Sequence, residues 1–119
     1  MSGASGAAAA AIGWDDFVKV DVRVGRIVAA APFPEARNPA YKLRVDFGEL
    51  GERRTSAQIT KRYRPEELVG RLVVAVVNFP PKRVAGFLSE VLVLGAYAAE
   101  GDVVLLRPDQ EVAPGQRVG

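Results

Sequence analysis

Thr60-Lys61-Arg62-Tyr63-Arg64-Pro65-Glu66-Glu67-Leu68 is the stretch on which the fold turns, because it is the helical signal set between runs of strand signals. Thr60 offers a hydroxyl for an N-cap, Pro65 is able to open a last turn, and Gly70 follows as a stop, so the spacing predicts a short helix over Thr60 to Leu68. Just before it, Glu52 to Ile59 reads as a strand antiparallel to its predecessor, since the turn bracketed by Gly48 and Gly51 is too short for a crossover. That predecessor alternates without a fault, with Tyr41, Leu43, Val45 and Phe47 on one side and Lys42, Arg44 and Asp46 on the other, the pattern of a half-buried strand. Earlier still, Val18 to Ala31 is a β-branched run stopped by Pro32 and Pro34, with Gly25 placed where the strand could bulge or bend. Beyond the helix, Arg71 to Val77 is a nearly continuous apolar run and reads as a buried strand; Val91 to Leu94 and Val103 to Leu106 are two more.

Three strands, a short helix, then two strands with an extra strand and a tail match the oligonucleotide-binding (OB) barrel, an all-β, five-stranded Greek-key fold. A helix commonly fills the gap between its strands 3 and 4. A β-sandwich is the competing architecture; the place of the helix and the curved, Gly-bearing first strand favour the barrel. At 119 residues the chain has room for one such domain. Residues 14–119 are expected to form it, with terminal extensions, after an Ala/Gly-rich flexible head at 1–13 that lacks the basic start and apolar centre of a secretory signal. No apolar stretch approaches the ~18 residues that span a bilayer, so membrane insertion is not expected and the cytoplasm is the default compartment.

Cys and His are both absent, which removes thiolate nucleophiles, zinc sites built on sulfur or imidazole, and every Ser-His or Cys-His catalytic arrangement. The carboxylate pairs Asp15-Asp16 and Glu66-Glu67 are adjacent in sequence, do not face each other on a helix, and suit first-turn positions. No Gly-rich phosphate loop is present, because Gly25, Gly48 and Gly51 lack the spacing and the Lys-Ser/Thr partner. Neither catalysis, nor a metal, nor a cofactor is expected; the composition points to a protein that works by binding.

The formal net charge of +2 hides an asymmetry: Arg37 to Arg83 holds eleven basic residues against five acids, or +6, and the flanks hold five against nine, or −4. The densest part carries Arg53, Arg54, Lys61, Arg62 and Arg64 with no acid and one aromatic, Tyr63, the footprint of a nucleic-acid contact or else of a solvated face. Twelve of the sixteen basic residues are Arg, whose planar fork suits phosphates and base edges. The loop Asn78-Phe79-Pro80-Pro81-Lys82-Arg83 is stiff and presents an aromatic beside two cations; Phe79 could stack on a ligand or plug the barrel end, and the plug is the commoner role. Gly86-Phe87-Leu88-Ser89-Glu90 adds a second aromatic, and Ser89 could contact a ligand or close a turn. In Ser56-Ala57-Gln58-Ile59-Thr60 the polar groups could meet bases, or Thr60 could cap the helix.

With these segments, Phe33-Pro34-Glu35-Ala36-Arg37, Ser89-Glu90-Val91-Leu92-Val93-Leu94-Gly95 and the closing Gly101-Asp102-Val103-Val104-Leu105-Leu106 and Pro108-Asp109, the chain closely resembles the CsaA family from roughly residue 14 to its end. The resemblance implies a small homodimeric OB barrel related to the tRNA-binding domain of bacterial methionyl-tRNA synthetases. Its members are described as export chaperones for unfolded or precursor polypeptides, and they look like tRNA or structured-RNA binders by domain. Carried onto this sequence, it points to Asn78, Lys82, Arg83, Ser89 and Glu90 as RNA-binding, beside the basic run from Arg53 to Arg64. A peptide-binding pocket is expected around Phe79 and Phe87, rimmed by Lys82 and Arg83. The wider domain usually has Ser-Glu-Gly-Met where this chain has Ser89-Glu90-Val91-Leu92, so a β-branched side chain is expected where backbone would otherwise approach a ligand, which favours the chaperone-type reading. Trp14 and Phe17 before the barrel and Val112 and Val118 after it are the apolar ends left for a dimer contact.

Overall fold

The structure is a computed structural model and describes residues 6–119, so the first five residues of the expected head lie outside the described residues. The chain runs α1 (Trp14–Val18), β1 (Val22–Pro32), β2 (Tyr41–Asp46), a 3-10 turn (Gly48–Leu50), β3 (Glu52–Ala57), α2 (Pro65–Leu68), β4 (Leu72–Val76), β5 (Lys82–Val84), β6 (Phe87–Ser89), β7 (Leu92–Val93), β8 (Gly95–Ala99) and β9 (Asp102–Leu105). Five antiparallel strands in the order β3-β2-β1-β4-β7 curl into a nearly closed barrel, as the order of strand and helix signals predicts. The gap between the two ends is bridged where Glu90 N–H donates to the Arg54 carbonyl at 2.7 Å and Thr55 Oγ1 donates to the Val91 carbonyl at 2.7 Å. The buried Thr55 hydroxyl is thereby satisfied, which is what allows a polar group at that depth.

The alternation of β2 does what its pattern requires: Leu43, Val45 and Phe47 are buried and join Ile27, Ile59, Leu68, Val73 and Val91 in the core. β1 serves two partners, pairing with β4 through Val22 to Arg26 and with β2 through Arg26 to Pro32. Its bulge lies between Ile27 and Ala29, and not at Gly25. Gly25 has a different reason: a Cβ there would stand 2.6 Å from Val45 Cγ1 and 2.7 Å from Phe47 Cε1, so the missing side chain makes room for the Phe47 ring.

The helix between β3 and β4 is shorter than its sequence suggests. Only Pro65 to Leu68 are helical, Arg64 takes the N-cap position, and Glu67 reaches back to accept its N–H at 2.8 Å, so Thr60 lies in a turn and caps nothing. Both carboxylate pairs do occupy first turns, Asp15-Asp16 in α1 and Glu66-Glu67 in α2. The stiff loop after β4 folds into a hairpin of β5 and β6, closed by Ala85 and Gly86 at φ of 47° and 82°. That is the left-handed pair a two-residue hairpin turn demands, met here with a strained alanine.

The tail is part of the fold. Its residues 115–118 hydrogen-bond along the half of β1 that β2 leaves unpaired, through Gly115 N–H to the Val24 carbonyl, Val24 N–H to the Gln116 carbonyl and Val118 N–H to the Val22 carbonyl. Asp21 fastens it, accepting from Arg23 Nε at 2.6 Å and lying 3.7 Å from Arg117 Nε. The Arg23 hydrogen bond, helped by both guanidinium charges, holds the Asp21 carboxyl below its ordinary value. Val112 and Val118 are consequently half-buried against their own chain.

Candidate functional site

A hollow of about 830 Å³ opens between the β1–β2 loop, the end of β3, the β5–β6 hairpin and the β8–β9 hairpin. Its floor is apolar, with Ala40, Ile59 and Val91 buried, and its wall carries the polar groups of Asn38, Ser56 and Gln58. Arg37, Phe79, Lys82 and Arg83 stand around the mouth. Phe79 is 51% exposed, so it does not plug the barrel. The two prolines behind it remove backbone freedom and hold the ring outward.

Within the basic run from Arg53 to Arg64, Arg54, Arg62 and Arg64 are paired with carboxylates of the protein, whereas Arg53 and Lys61 are not, among the described residues. Arg62 forms a two-pronged pair with Asp102, Nε to Oδ1 at 2.6 Å and Nη2 to Oδ2 at 3.0 Å. Hydrogen bonding and charge at this pair lower the Asp102 carboxyl and raise the Arg62 guanidinium from their ordinary values. Arg64 lies 3.7 Å from both Glu66 and Glu67, Arg54 lies 3.8 Å from Glu90, and Lys61 reaches the Glu100 carbonyl at 3.4 Å. Arg53 is half-buried on β3 opposite Val45. By contrast, Arg37, Lys82 and Arg83 take part in no ion pair among the described residues. A paired cation must surrender a carboxylate to take up a phosphate, whereas an unpaired one gains the whole contact, so Arg37, Lys82 and Arg83 together offer uncancelled positive charge at the mouth of the hollow.

The remaining nominated residues hold backbone. Asn78 accepts the Asp21 N–H at 2.9 Å and donates to the Lys19 carbonyl at 2.8 Å, tying the loop after β4 to the α1–β1 junction. Ser89 Oγ lies 3.1 Å from Thr55 Oγ1 and accepts the Ser56 N–H at 3.1 Å, and Glu90 accepts the Arg54 N–H at 2.9 Å. Together they lock the hairpin onto β3. Ser89 and Glu90 also line the hollow, whereas Phe87 lies in a second, smaller depression with Arg83 lining both. Val91 points into the core at 6% exposure, and it is Leu92 that faces out. The β-branched residue in place of glycine is therefore buried at the floor of the hollow, and its neighbour Leu92 lines the hollow from the exposed side. Asn38, which no sequence signal singles out, joins Arg37 of the basic segment and Gln58 of the Ser56–Thr60 motif at the site because the β1–β2 loop folds over the end of β3.

Residues 22–117 match the model of a family described as a putative tRNA binding domain. Among solved structures, the CsaA chaperone of Bacillus anthracis is 56% identical with a TM-score of 0.89, covering 92% of this chain and 100% of its own. The chain belongs to the CsaA family of tRNA-binding-domain proteins. The CsaA chaperone protein of Picrophilus torridus is similar at 48% identity and a TM-score of 0.85, covering 92% of this chain and all of its own. The methionine–tRNA ligase of Acidithiobacillus ferrooxidans is 47% identical over 107 residues, which are 90% of this chain and 16% of the ligase. The chain thus spans about one sixth of that enzyme. Among the described residues no helix is long and apolar enough to cross a membrane, and no group of three or more carboxylates converges as a metal site would require.

Proposed function

We propose that the chain binds tRNA or similarly structured RNA across the mouth of the main hollow, and that as a cytoplasmic, non-catalytic homodimer it also holds unfolded or precursor polypeptides as an export chaperone. The observation that carries this reading is the set of unpaired cations, Arg37, Lys82 and Arg83, around an apolar hollow with an exposed phenylalanine at its lip. Cations contact phosphates, and Phe79 offers a face to a base. The same apolar floor fits a side chain of an unfolded polypeptide, which supports a second reading of a dedicated peptide chaperone with little RNA binding.

A competition experiment tests both. If the mouth serves RNA and peptide alike, tRNA displaces a bound unfolded peptide, and tRNA affinity falls with salt by about 0.7 to 0.9 decades per decade for each phosphate neutralised. A salt-independent or undetectable tRNA affinity, with peptide still bound, rejects the RNA role and leaves the peptide chaperone.

For the dimer, Ile12, Trp14 and Val18 are 70%, 71% and 45% exposed, and Val104 on β9 and Leu106 just after it are exposed on the side of the β8–β9 hairpin opposite Tyr97. Trp14 and Phe17 pack with ring centroids 5.3 Å apart and planes tilted by 45°. Such surface is costly to leave in water and suits a second copy. Sedimentation of Trp14→Glu is expected to show monomers where the parent chain is a dimer; an unchanged dimer would place the interface elsewhere.

A further inference from the structure

The second depression, about 490 Å³, lies on the outer face of β2 and β3 beneath the β5–β6 hairpin, and it is lined by Phe33, Glu35, Lys42, Arg54, Arg83 and the turn residues through Leu88. Three cations converge there; Glu35 is the carboxylate in the lining, and Glu90 lies 3.8 Å from Arg54 Nε. Lys42 makes no ion pair and donates to no protein acceptor among the described residues; its ammonium lies over the rings of Phe33 and Phe87, 4.7 and 5.2 Å from their centroids. The Arg54 guanidinium lies 5.7 Å from the Phe87 centroid, and the two rings meet edge to face at 5.5 Å. Arg83 curls over the turn toward the Gly86 carbonyl at 3.4 Å. Cation–π attraction offsets part of the mutual repulsion of these charges, and Phe33, which is buried, anchors the arrangement. The strained Ala85 sits in the same wall, the kind of backbone cost that ligand sites retain.

We propose that this depression is a phosphate-binding subsite, which rests on the RNA-binding reading and deepens it: Lys42, Arg54 and Arg83 take a phosphate of an RNA strand that runs on from the main hollow. Phosphate is the fitting ligand because three donors on separate strands surround one concavity, matching an oxyanion with several acceptors. Arg83 lines both depressions and makes the path between them continuous. The phosphate is a diester within the strand or a terminal monoester; the shared chemistry is the oxyanion.

The test uses the full chain with tRNA and with an eight-nucleotide single-stranded RNA, with and without a 5′-monophosphate. Lys42→Gln is expected to weaken RNA binding about 5- to 20-fold at low salt and to make the salt slope shallower by about 0.7 to 0.9, with Lys42→Arg restoring most of both. Equal losses for both oligonucleotides assign a diester, and a loss confined to the phosphorylated one assigns the terminus. An unchanged slope and affinity in Lys42→Gln, with an unchanged thermal melt, overturns the subsite, as does a loss seen for an acidic peptide and not for RNA. If Lys82→Gln/Arg83→Gln loses tRNA while Lys42→Gln does not, the subsite alone falls; if the parent chain binds neither RNA, both readings fall. Should Lys42→Gln disturb folding, the amide shifts of residues 83 to 88 on titrating the parent chain with inorganic phosphate decide, their absence overturning the proposal.

Discussion

A Lys82→Gln/Arg83→Gln double variant is expected to bind tRNA roughly 10- to 100-fold more weakly than the parent at low salt. Each exposed phosphate contact contributes on the order of 1 kcal/mol, and losing two makes the salt slope shallower by about 1.4 to 1.8. In a two-fold dimer the loss occurs at both copies, so an RNA long enough to span them feels it twice. Arg62→Gln is the comparison that gives the result its meaning. Its guanidinium is already held by both oxygens of Asp102, so removing it takes little from RNA, and an effect within about threefold is expected. Filter-binding titrations of the three proteins over a range of salt decide it. A loss in Arg62→Gln as large as that in the double variant would mean that sequence density of charge, and not freedom from ion pairing, locates the interface.

Gly25→Val is expected to lower stability by about 3 kcal/mol or more, or to prevent folding. The first added carbon already meets Val45 Cγ1 at 2.6 Å and the Phe47 ring at 2.7 and 2.9 Å, against an ordinary contact of about 3.5 to 4.0 Å. Neither neighbour has room to yield, since Val45 and Phe47 are both fully buried at the centre of the core. For a domain of this size such a loss lowers the melting temperature by about 10 to 20 °C. Gly13→Ala, where the nearest atom is Asp16 Oδ2 at 3.9 Å, is expected to stay within about 1 kcal/mol of the parent. Thermal melts followed by circular dichroism measure both. A Gly25→Val protein that melts with the parent would show that the core repacks at that point.

How legible each part was follows from the range of the forces involved. β2 could be read residue by residue because one face is buried and one is wet, so burial writes itself into a period of two. The β5–β6 hairpin could not, because its strands are three residues each and its turn uses Ala85 where Asn or Gly would announce it. The helix was visible as a place in the order and wrong in length, since Thr60 is a capable cap that Arg64 and Glu67 pre-empt. A bend at Gly25 would be a local property, whereas the demand on Gly25 comes from Phe47, twenty-two residues on.

Strand order, the barrel with its inserted helix and the family resemblance are legible from the residues in order, as is the lack of His and Cys that removes thiolate and imidazole chemistry. These are written locally, in periodicity, turn residues and composition. Which cations acquire an acid partner is set only by the fold, because the carboxylates beside Arg62 and Arg54 lie forty and thirty-six residues away along the chain. Electrostatic attraction acts through space and falls with distance, so a positive stretch of sequence becomes a positive surface only where the fold brings no acid beside it.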